Sequence, residues 1–171
     1  MKQTHNLTIP LPPQGKGRGR AVRAGAGVRV ITPAKTRNFE AVVADLAAEQ
    51  IEGGIIEGPV AVRIVAVFAR PKRLAMVYKK TGRPKHPIGW LHCPQTPDAD
   101  NIAKAVIDGL RAVWRDDRQV VSLEILKVYG VMVRRGESWA VEPPRVDVEI
   151  EELGDAPTVR DRRLSAIARG A

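Results

Sequence analysis

The stretch PDADNIAKAVIDGL (residues 97–110), followed by RDDRQVV (residues 115–121), carries most of the information about the fold of this chain. Apolar residues recur at helical spacing from about Asn101 to Trp114 and predict a helix with one buried stripe. The next segment, QVVSLEILKVY (residues 119–129), predicts a strand. The same stretch contains five aspartates within twenty residues: Asp98, Asp100, Asp108, Asp116 and Asp117.

The flanking sequence predicts a second helix and further strands. Apolar spacing indicates a helix through residues 39–50. Either Thr36 or Asn38 can cap its start, and Gly53 with Gly54 can end it. Further elements are predicted as an edge strand limited by its prolines at residues 7–12, a central strand at 59–69, a turn at 132–138 and a strand at 145–151.

These elements predict an α/β fold of the α+β kind, in which a mixed β-sheet packs against two main helices. A length of 171 residues favours a single domain. We expect that domain to cover residues 1–151, with residues 152–171 forming a polar C-terminal tail. Since 44% of the chain is hydrophobic but only 4% is aromatic, its core must be mainly aliphatic.

Two segments allow more than one structural interpretation. The Gly/Arg-rich segment 15–29 and the residues just after it can form a hairpin from the halves RGRAVRA and VRVIT, or can be a flexible basic arm. Residues 70–97 are rich in Lys, Arg, Pro and Gly and have little periodicity. They predict a long basic loop, and loops of that length are usually functional or disordered.

The positive charge of the chain is concentrated in separate segments. The formal net charge is +9, and residues 1–39 and 58–97 each contain eight Lys or Arg without a single acid. A polyanion such as nucleic acid is the partner that this pattern favours, the alternative being a basic surface that maintains solubility. The candidate nucleic-acid-binding residues are Lys16, Arg18, Arg20, Arg23, Lys35, Arg37, Lys72, Arg73, Lys79, Lys80, Arg83 and Lys85.

The cysteine content and the N-terminus suggest a cytoplasmic protein. Cys93 is the only cysteine, so no intramolecular disulfide can form. The first residues lack the apolar region of a signal peptide, and the longest apolar run is too short to span a bilayer. His86 and His92 lie near Cys93, but the second ligand pair of a zinc site is missing.

Asp98 and Asp100 are the strongest candidates for a metal site. In an extended backbone, residues two apart point the same way, so both carboxylates can face one cation. Mg²⁺ is the expected cation because it prefers oxygen ligands and retains waters that can meet a substrate phosphate. The alternative is that Asp100 caps the helix and Asp98 is a turn residue.

Asp100, Lys104 and Asp108 share one helical face, adjacent to Asn101. Lys104 can contact a phosphate or orient a water, or can simply form an ion pair one turn away. Asp108 lies about 12 Å along the helix axis from Asp100 and is better placed for a supporting role, as is Asn101. A returning strand could bring one of Asp116 and Asp117 beside the first two aspartates, the alternative being turn formation.

DADNIAKAVIDGL followed by DDRQVV resembles the RusA family of Holliday junction resolvases, with the pattern D-x-D-N-x-x-K and then D-D-x-Q-V. The resemblance covers about residues 7–151 and implies a RusA-like fold. It implies that Asp98, Asp100 and Asp117 bind Mg²⁺ for cleavage, with Mn²⁺ as a substitute, and that Lys104 is the family's essential lysine. Asp108 and Asp116 match acidic positions of less certain role.

The family further implies a homodimer that resolves four-way DNA junctions by paired nicks, in the cytoplasm of a bacterium or of a phage-infected host. A cation held by the three aspartates would polarise a phosphoryl oxygen and activate water, leaving a 5′-phosphate. Two rival functions stay open: a non-catalytic basic DNA-binding protein, and a metal nuclease that prefers flaps or forks. Trp114 is expected in the core, whereas Trp90 is a candidate for stacking on bases.

Overall fold

The structure is a computed structural model and describes residues 3–25, 27–51 and 54–154. Two predictions, the role of Gly53 and the tail beyond Gly154, lie outside these residues. The strands are β1 (Thr4–Ile9), β2 (Arg20–Ala24), β3 (Gly27–Ile31), β4 (Val60–Phe68), β5 (Leu91–His92), β6 (Val120–Tyr129), β7 (Met132–Arg135), β8 (Ser138–Val141) and β9 (Arg145–Glu152). The helices are α1 (Ala34–Gln50) and α2 (Ala99–Gly109).

A five-stranded mixed sheet in the order β1-β9-β4-β6-β5 forms the centre of the fold. β4 and β6 are parallel, and the other pairs are antiparallel. The alternating Val60, Val62 and Ile64 of β4 are almost fully buried, as a central strand with a covered face requires. The predicted mixed sheet with two helices in one domain is confirmed.

The two helices pack on the sheet and on each other. α2 buries Ile102, Val106 and Leu110 in the core. Gly109 permits the close approach of α1, since a Cβ at this position would lie only 2.7 Å from Cβ of Val43. The core position predicted for Trp114 is confirmed, with 2% of the residue exposed.

Both helices and the first strand begin earlier than predicted. β1 ends at Ile9 because Pro10 has no N–H to continue the ladder with β9. α1 begins at Ala34, directly after Pro33, so neither predicted cap is used. The hydroxyl of Thr36 instead accepts a hydrogen bond from the Gly17 N–H (3.1 Å). α2 begins at Ala99 and ends in a 3₁₀ turn rather than running as one helix to Trp114.

Several segments interpreted as loops or turns contain regular structure. The Gly/Arg-rich segment leads into an exposed hairpin of β2 and β3, the first of its two possible conformations. The predicted turn at 132–138 is the hairpin of β7 and β8. The basic segment 70–97 contains a 3₁₀ turn, an isolated bridge and β5. None of the helices in the described ranges is both long and apolar enough to cross a lipid bilayer.

Candidate active site

Asp98 and Asp100 lie at the start of α2, where Asp98 lines an open cleft of about 300 Å³. Asp98 occupies the N-cap position, but its side chain makes no capping hydrogen bond. Asp100 lies in the first helical turn, and both residues are exposed. The alternative in which Asp100 caps the helix is therefore wrong, and the carboxylate of Asp98 forms no capping bond. The cleft is lined by Pro13, Gln14, Gly15, Lys16, Thr96, Pro97, Asp98 and Asn101.

The opposite wall of the cleft is the segment that follows β1, and it is fixed against α2. The backbone N–H of Lys16 donates to the carbonyl of Asn101 (2.8 Å). Gly15 passes so close to the start of the helix that a Cβ would lie 2.6 Å from Cβ of Pro97. A larger residue at this position would push the wall away from the helix. The first residues of the Gly/Arg-rich segment thus shape the candidate site.

Lys16 is held between two carboxylates. Its Nζ lies 2.6 Å from Oδ2 of Asp108 and 2.5 Å from Oε1 of Glu40. Burial acts to lower the pKa of Lys16, but hydrogen bonds and charge attraction from Asp108 and Glu40 outweigh it and raise the pKa. Asp108 also accepts from Arg111 (3.2 Å), and only 8% of its side chain is exposed. Asp108 therefore links α2 to the cleft wall and to α1.

Lys104 is exposed on α2 and forms no ion pair with Asp100 or Asp108. The alternative that Lys104 serves as an ordinary i,i+4 partner is thus wrong for both neighbours. Its ammonium group remains available for an anion. Asn101, by contrast, is half-buried, and it lines the cleft beside Asp98.

The DDRQ turn (residues 116–119) lies at the other end of α2. Asp116 caps a 3₁₀ turn and binds Arg118 through both carboxylate oxygens. The side-chain hydrogen bond from Arg118 is the largest cause that lowers the pKa of Asp116, to about 2. Asp117 is exposed, and its Oδ1 accepts only a long hydrogen bond from Nε1 of Trp114 (3.4 Å). The two adjacent aspartates therefore differ: one holds the turn and the other faces solvent.

Gln119 is a structural residue that the sequence reasoning missed. Its Nε2 donates to the carbonyls of Ile56 and Gly58, both at 2.9 Å. Its Oε1 accepts from the backbone N–H groups of Arg115 and Asp116. The D-D-x-Q spacing is the signal that could have identified it, because a capping box places a Gln three residues after an Asp.

The three predicted metal ligands are not brought together within one chain. Asp98 and Asp100 lie at the start of α2, whereas Asp117 lies with Trp114 in a separate cleft after its end. The eleven residues of α2 alone extend about 16 Å. Within the described ranges, no group of three or more His, Cys, Asp or Glu residues could hold a metal ion. Asp98 and Asp100 are exposed, and their carboxylates still suit Mg²⁺, which is commonly bound by one or two protein carboxylates.

Residues 76–85 form an ordered basic finger within the segment predicted to be a loop. Tyr78 N–H donates to the carbonyl of Arg83 and Lys85 N–H donates to that of Met76, both at 2.8 Å. Gly82 adopts a φ of +63° at the tip, a conformation that favours glycine. The cationic Nζ of Lys85 lies 5.4 Å from the ring centroid of Tyr78.

Arg70 anchors the base of the finger, and the sequence carried no signal for this role. Arg70 is buried, and its guanidinium donates to the carbonyls of Gly130 (2.8 Å), Pro87 (2.8 Å) and Gly89. Burial lowers the pKa of Arg70, against the attraction of Glu142. Burial of this side chain is compensated by backbone hydrogen bonds that fix the residues following the finger.

The predicted nucleic-acid-binding residues are exposed, with one exception. Lys16 is only 22% exposed at its side chain and is already paired with two carboxylates. The exposed members are Arg18, Arg20, Arg23, Lys35, Arg37, Lys72, Arg73, Lys79, Lys80, Arg83 and Lys85. Exposed Lys and Arg side chains therefore lie on the hairpin of β2 and β3 and on the finger. Trp90 is 46% exposed, and its Nε1 donates to Glu142 (3.0 Å).

Comparison with known proteins adds two findings. The family model described as Endodeoxyribonuclease RusA matches residues 10–151. A protein of Bacillus subtilis (strain 168), the uncharacterized protein YqaN, is 33% identical over 148 residues, which is 86% of this chain and 95% of that protein. The match includes both ends of α2, the finger and four strands of the central sheet, with β9 lacking only its last residue; β1 ends just before the match begins.

Proposed function

Because the chain belongs to the RusA family of endodeoxyribonucleases, we propose that it is a divalent-metal-dependent nuclease that resolves four-way DNA junctions by paired nicks. The observation that supports this most strongly is the pair Asp98 and Asp100. Both residues are exposed, neither carboxylate makes a capping hydrogen bond, and Asp98 lines a cleft in a chain of net charge +9. A purely structural pair of aspartates would be expected to make capping or ion-pair contacts.

Asp98 and Asp100 would hold Mg²⁺, or Mn²⁺ in its place, with Asn101 nearby on the cleft wall. The cation, when bound, would polarise the scissile phosphate and activate water for attack. Lys104 lies one helical turn beyond Asp100 and has no carboxylate partner on α2. Its ammonium would contact the phosphate and stabilise the negative charge that builds up during attack. The expected products are a 5′-phosphate and a 3′-hydroxyl.

The third proposed ligand, Asp117, would come from a second copy of the chain. Mg²⁺ binds oxygen at about 2.1 Å, so the oxygens around it lie within about 4 Å of each other. The 3₁₀ turn after α2 adds further length to the helix that separates Asp117 from Asp98. A homodimer with antiparallel α2 helices would place each Asp117 near the opposite Asp100. We therefore propose that each active site is shared between two subunits.

The exposed cations of the β2–β3 hairpin and of the finger would hold the DNA backbone. Contacts of this kind position a duplex by its phosphates and do not read its sequence. A two-fold dimer would present two such surfaces to a junction that itself has near two-fold symmetry. This arrangement supports a preference for branched DNA over linear duplex.

The test is cleavage of an end-labelled immobile four-way junction, with Mg²⁺ and with EDTA. Wild type is compared with Asp100→Asn and with the control Asp45→Asn, which alters an exposed aspartate of α1. The proposal predicts Mg²⁺-dependent paired nicks for wild type and for Asp45→Asn, and a loss of at least 100-fold for Asp100→Asn, roughly the size of a removed charge-stabilising group.

Two other outcomes would support the rival functions. Binding of the junction without cleavage by wild type would indicate a non-catalytic DNA-binding protein. Faster cleavage of a 5′-flap or a replication fork than of the junction, with the same loss for Asp100→Asn, would indicate a nuclease of different selectivity. Either result would contradict the proposed junction resolvase.

A further inference from the structure

The finger is a short antiparallel ribbon. Val77 forms a bridge with Pro84, which aligns Tyr78 with Arg83 on the next rung. The Tyr78 N–H donates to the carbonyl of Arg83 (2.8 Å), and the Gly82 N–H donates to the carbonyl of Tyr78 (2.8 Å) at the tip. The ring of Tyr78 is therefore carried on a backbone that regular hydrogen bonds hold in place.

One side of this ribbon combines an aromatic ring with two cations. Opposite residues of an antiparallel pair lie on the same side, and so do residues two apart along a strand. Tyr78 and Arg83 share a side by the first rule, and Lys85 joins them by the second. The Nζ of Lys85 lies 5.4 Å from the centroid of the Tyr78 ring, within the range of a cation–π contact. Met76 shares this side, whereas Val77 lies on the opposite one.

The side of the finger that carries Tyr78 is open to solvent. Tyr78 is 53% exposed and Met76 is 48% exposed, and both Arg83 and Lys85 are exposed as well. Residues 58–97 contain no acidic residue that would neutralise these cations from the neighbouring sequence. Proteins bind single-stranded nucleic acid with this combination, in which aromatic rings stack on bases and cations contact the backbone.

We propose that the finger binds an unstacked nucleobase, with the Tyr78 ring stacked on the base and with Arg83 and Lys85 on the phosphates beside it. Inside a linear duplex, neighbouring base pairs cover both faces of every base, so no side chain can stack there without unstacking them. The branch point of a junction interrupts this stacking. The inference rests on the DNA substrate in the proposed function and assigns the residue that would distinguish a branch point from an uninterrupted duplex.

Arg70 holds the base of the finger in one position. Its guanidinium donates to the carbonyls of Pro87 and Gly89, which follow the finger, and to the carbonyl of Gly130, just after β6. A ligand that binds to residues already ordered does not have to pay the entropy of ordering them. The finger can therefore present the Tyr78 ring to a base without first folding around it.

The finger lies in the same connection as the first proposed metal ligand. After the finger, Leu91 and His92 pair with the end of β6, and the N–H of Cys93 donates to the carbonyl of Lys127 (3.0 Å). Asp98 follows at the start of α2. The connection from the finger to α2 is thus fixed along the end of β6, so that the finger and the cleft can contact one junction.

Trp90 is a second exposed aromatic residue of this connection, but its contacts favour Tyr78 for this role. The Nε1 of Trp90 donates to the carboxylate of Glu142 (3.0 Å), whereas the ring of Tyr78 contacts the ammonium of Lys85. A carboxylate repels the phosphates that flank every base of a DNA strand, and an ammonium attracts them. A base would therefore bind more readily at Tyr78.

The test is a double-mutant cycle on DNA binding, measured by fluorescence anisotropy in EDTA so that no strand is cut. One change is Tyr78→Ala, and the other is a four-way junction in which tetrahydrofuran units replace the branch-point nucleosides. For the intact junction, Tyr78→Ala should lower the affinity by about 5- to 100-fold, the range expected for the loss of one base–aromatic stack. For the junction without branch-point bases, and for a linear duplex, both proteins should bind equally, because no base can stack on the ring.

Control variants separate stacking from other effects. Tyr78→Phe keeps the ring and should bind the intact junction like wild type, and Val77→Ala, on the other side of the finger, should have no effect. Unchanged binding of the intact junction by Tyr78→Ala would overturn the inference. An equal loss on all three DNAs would also overturn it, because that pattern indicates a backbone contact or a disordered finger. A base-dependent loss in Trp90→Ala alone would assign the base to the indole instead.

Binding in EDTA also separates this inference from the proposed cleavage. Paired nicking by a wild type whose junction affinity does not depend on Tyr78 would overturn the inference alone. Base-dependent binding through Tyr78 by a protein that cuts no DNA would contradict the proposed nuclease and support the base site.

Discussion

Two inactive variants should restore each other's activity if each active site is shared between subunits. Asp100→Asn and Asp117→Asn alter opposite ends of α2, and each alone should abolish cleavage in a homodimer. In a mixed dimer, one site would combine Asp98 and Asp100 from one subunit with Asp117 from the other, all unaltered. The second site would contain both substitutions. Activity should therefore reappear only when the two variants share a dimer.

The expected size of the rescue follows from the geometry. α2 spans about 16 Å, several times the about 4 Å that separates oxygens on one Mg²⁺, so one subunit cannot supply all three ligands. Random association of equal amounts gives mixed dimers in half of the population, each with one intact site. The mixture should thus show about a quarter of the wild-type sites, and it should nick one strand without resolving the junction.

The assay uses the two variants coexpressed with different affinity tags, so that mixed dimers can be purified through both tags. Nicking of a four-way junction is then measured with excess enzyme. Mixed dimers that remain as inactive as either parent would refute the shared site, because ligands from a single subunit would leave both sites damaged. A pair of substitutions at the same end of α2, Asp98→Asn with Asp100→Asn, serves as the control that should give no rescue.

Three further predictions concern packing, pH and DNA contact. Gly109→Ala should lower the free energy of unfolding by about 1–3 kcal/mol in urea titrations, since its Cβ would press on Val43, whereas Gly89→Ala meets open space and should be neutral. The pKa of Asp116 is lowered from 3.8 to about 2, so its contribution to stability is present above about pH 4 and is lost as pH falls toward 2. Asp116→Asn should therefore flatten the dependence of the unfolding free energy on pH between about pH 4 and 2. An unchanged slope in the variant would contradict the ion pair with Arg118. Replacing Lys79 and Lys80 by Ala should make the dependence of log K on log salt for junction binding shallower by about 1–2, and an unchanged slope would exclude the finger from phosphate contact.

The elements with strong periodicity were predictable from the sequence. The apolar stripe of α2 identifies a helix with one buried face, and the dense valines of β4 identify a central strand. Few other structures are compatible with these two patterns of apolar residues. Element ends were less predictable. Pro33 starts α1 earlier than Thr36 would suggest, since the hydroxyl of Thr36 is used by Gly17 from a distant part of the chain.

The anchoring of the finger could not be predicted because it depends on a contact with a carbonyl that is distant in the sequence. Residues 76–85 have little periodicity of their own, and the residues that follow them are fixed by the buried guanidinium of Arg70, which donates to the carbonyl of Pro87 and also to that of Gly130. Such contacts depend on how β4 and β6 end side by side. The sequence shows only that an arginine follows an apolar strand.

The composition of the candidate site was predictable, but its geometry was not. The spacing of Asp98, Asp100 and Lys104 identified residues that are exposed at the start of α2. The same sequence suggested that a returning strand could bring one of Asp116 and Asp117 back to them. β6 does return, but its first residue lies beyond the far end of the helix, so the chain brings Asp117 to a separate cleft. The direction of α2 relative to β6 therefore determines that Asp117 lies apart from Asp98 and Asp100.

The most direct test of the central claim is the fate of the cut strands. The substrate is a four-way junction whose branch point can migrate only within a short homologous core. It is incubated with the protein and Mg²⁺, the nicks are mapped, and the products are then treated with DNA ligase. We predict nicks at symmetric positions on two opposing strands, yielding linear duplexes whose nicks the ligase seals. Unpaired nicks, or ends that the ligase cannot join, would contradict a two-fold resolvase that leaves a 5′-phosphate and a 3′-hydroxyl.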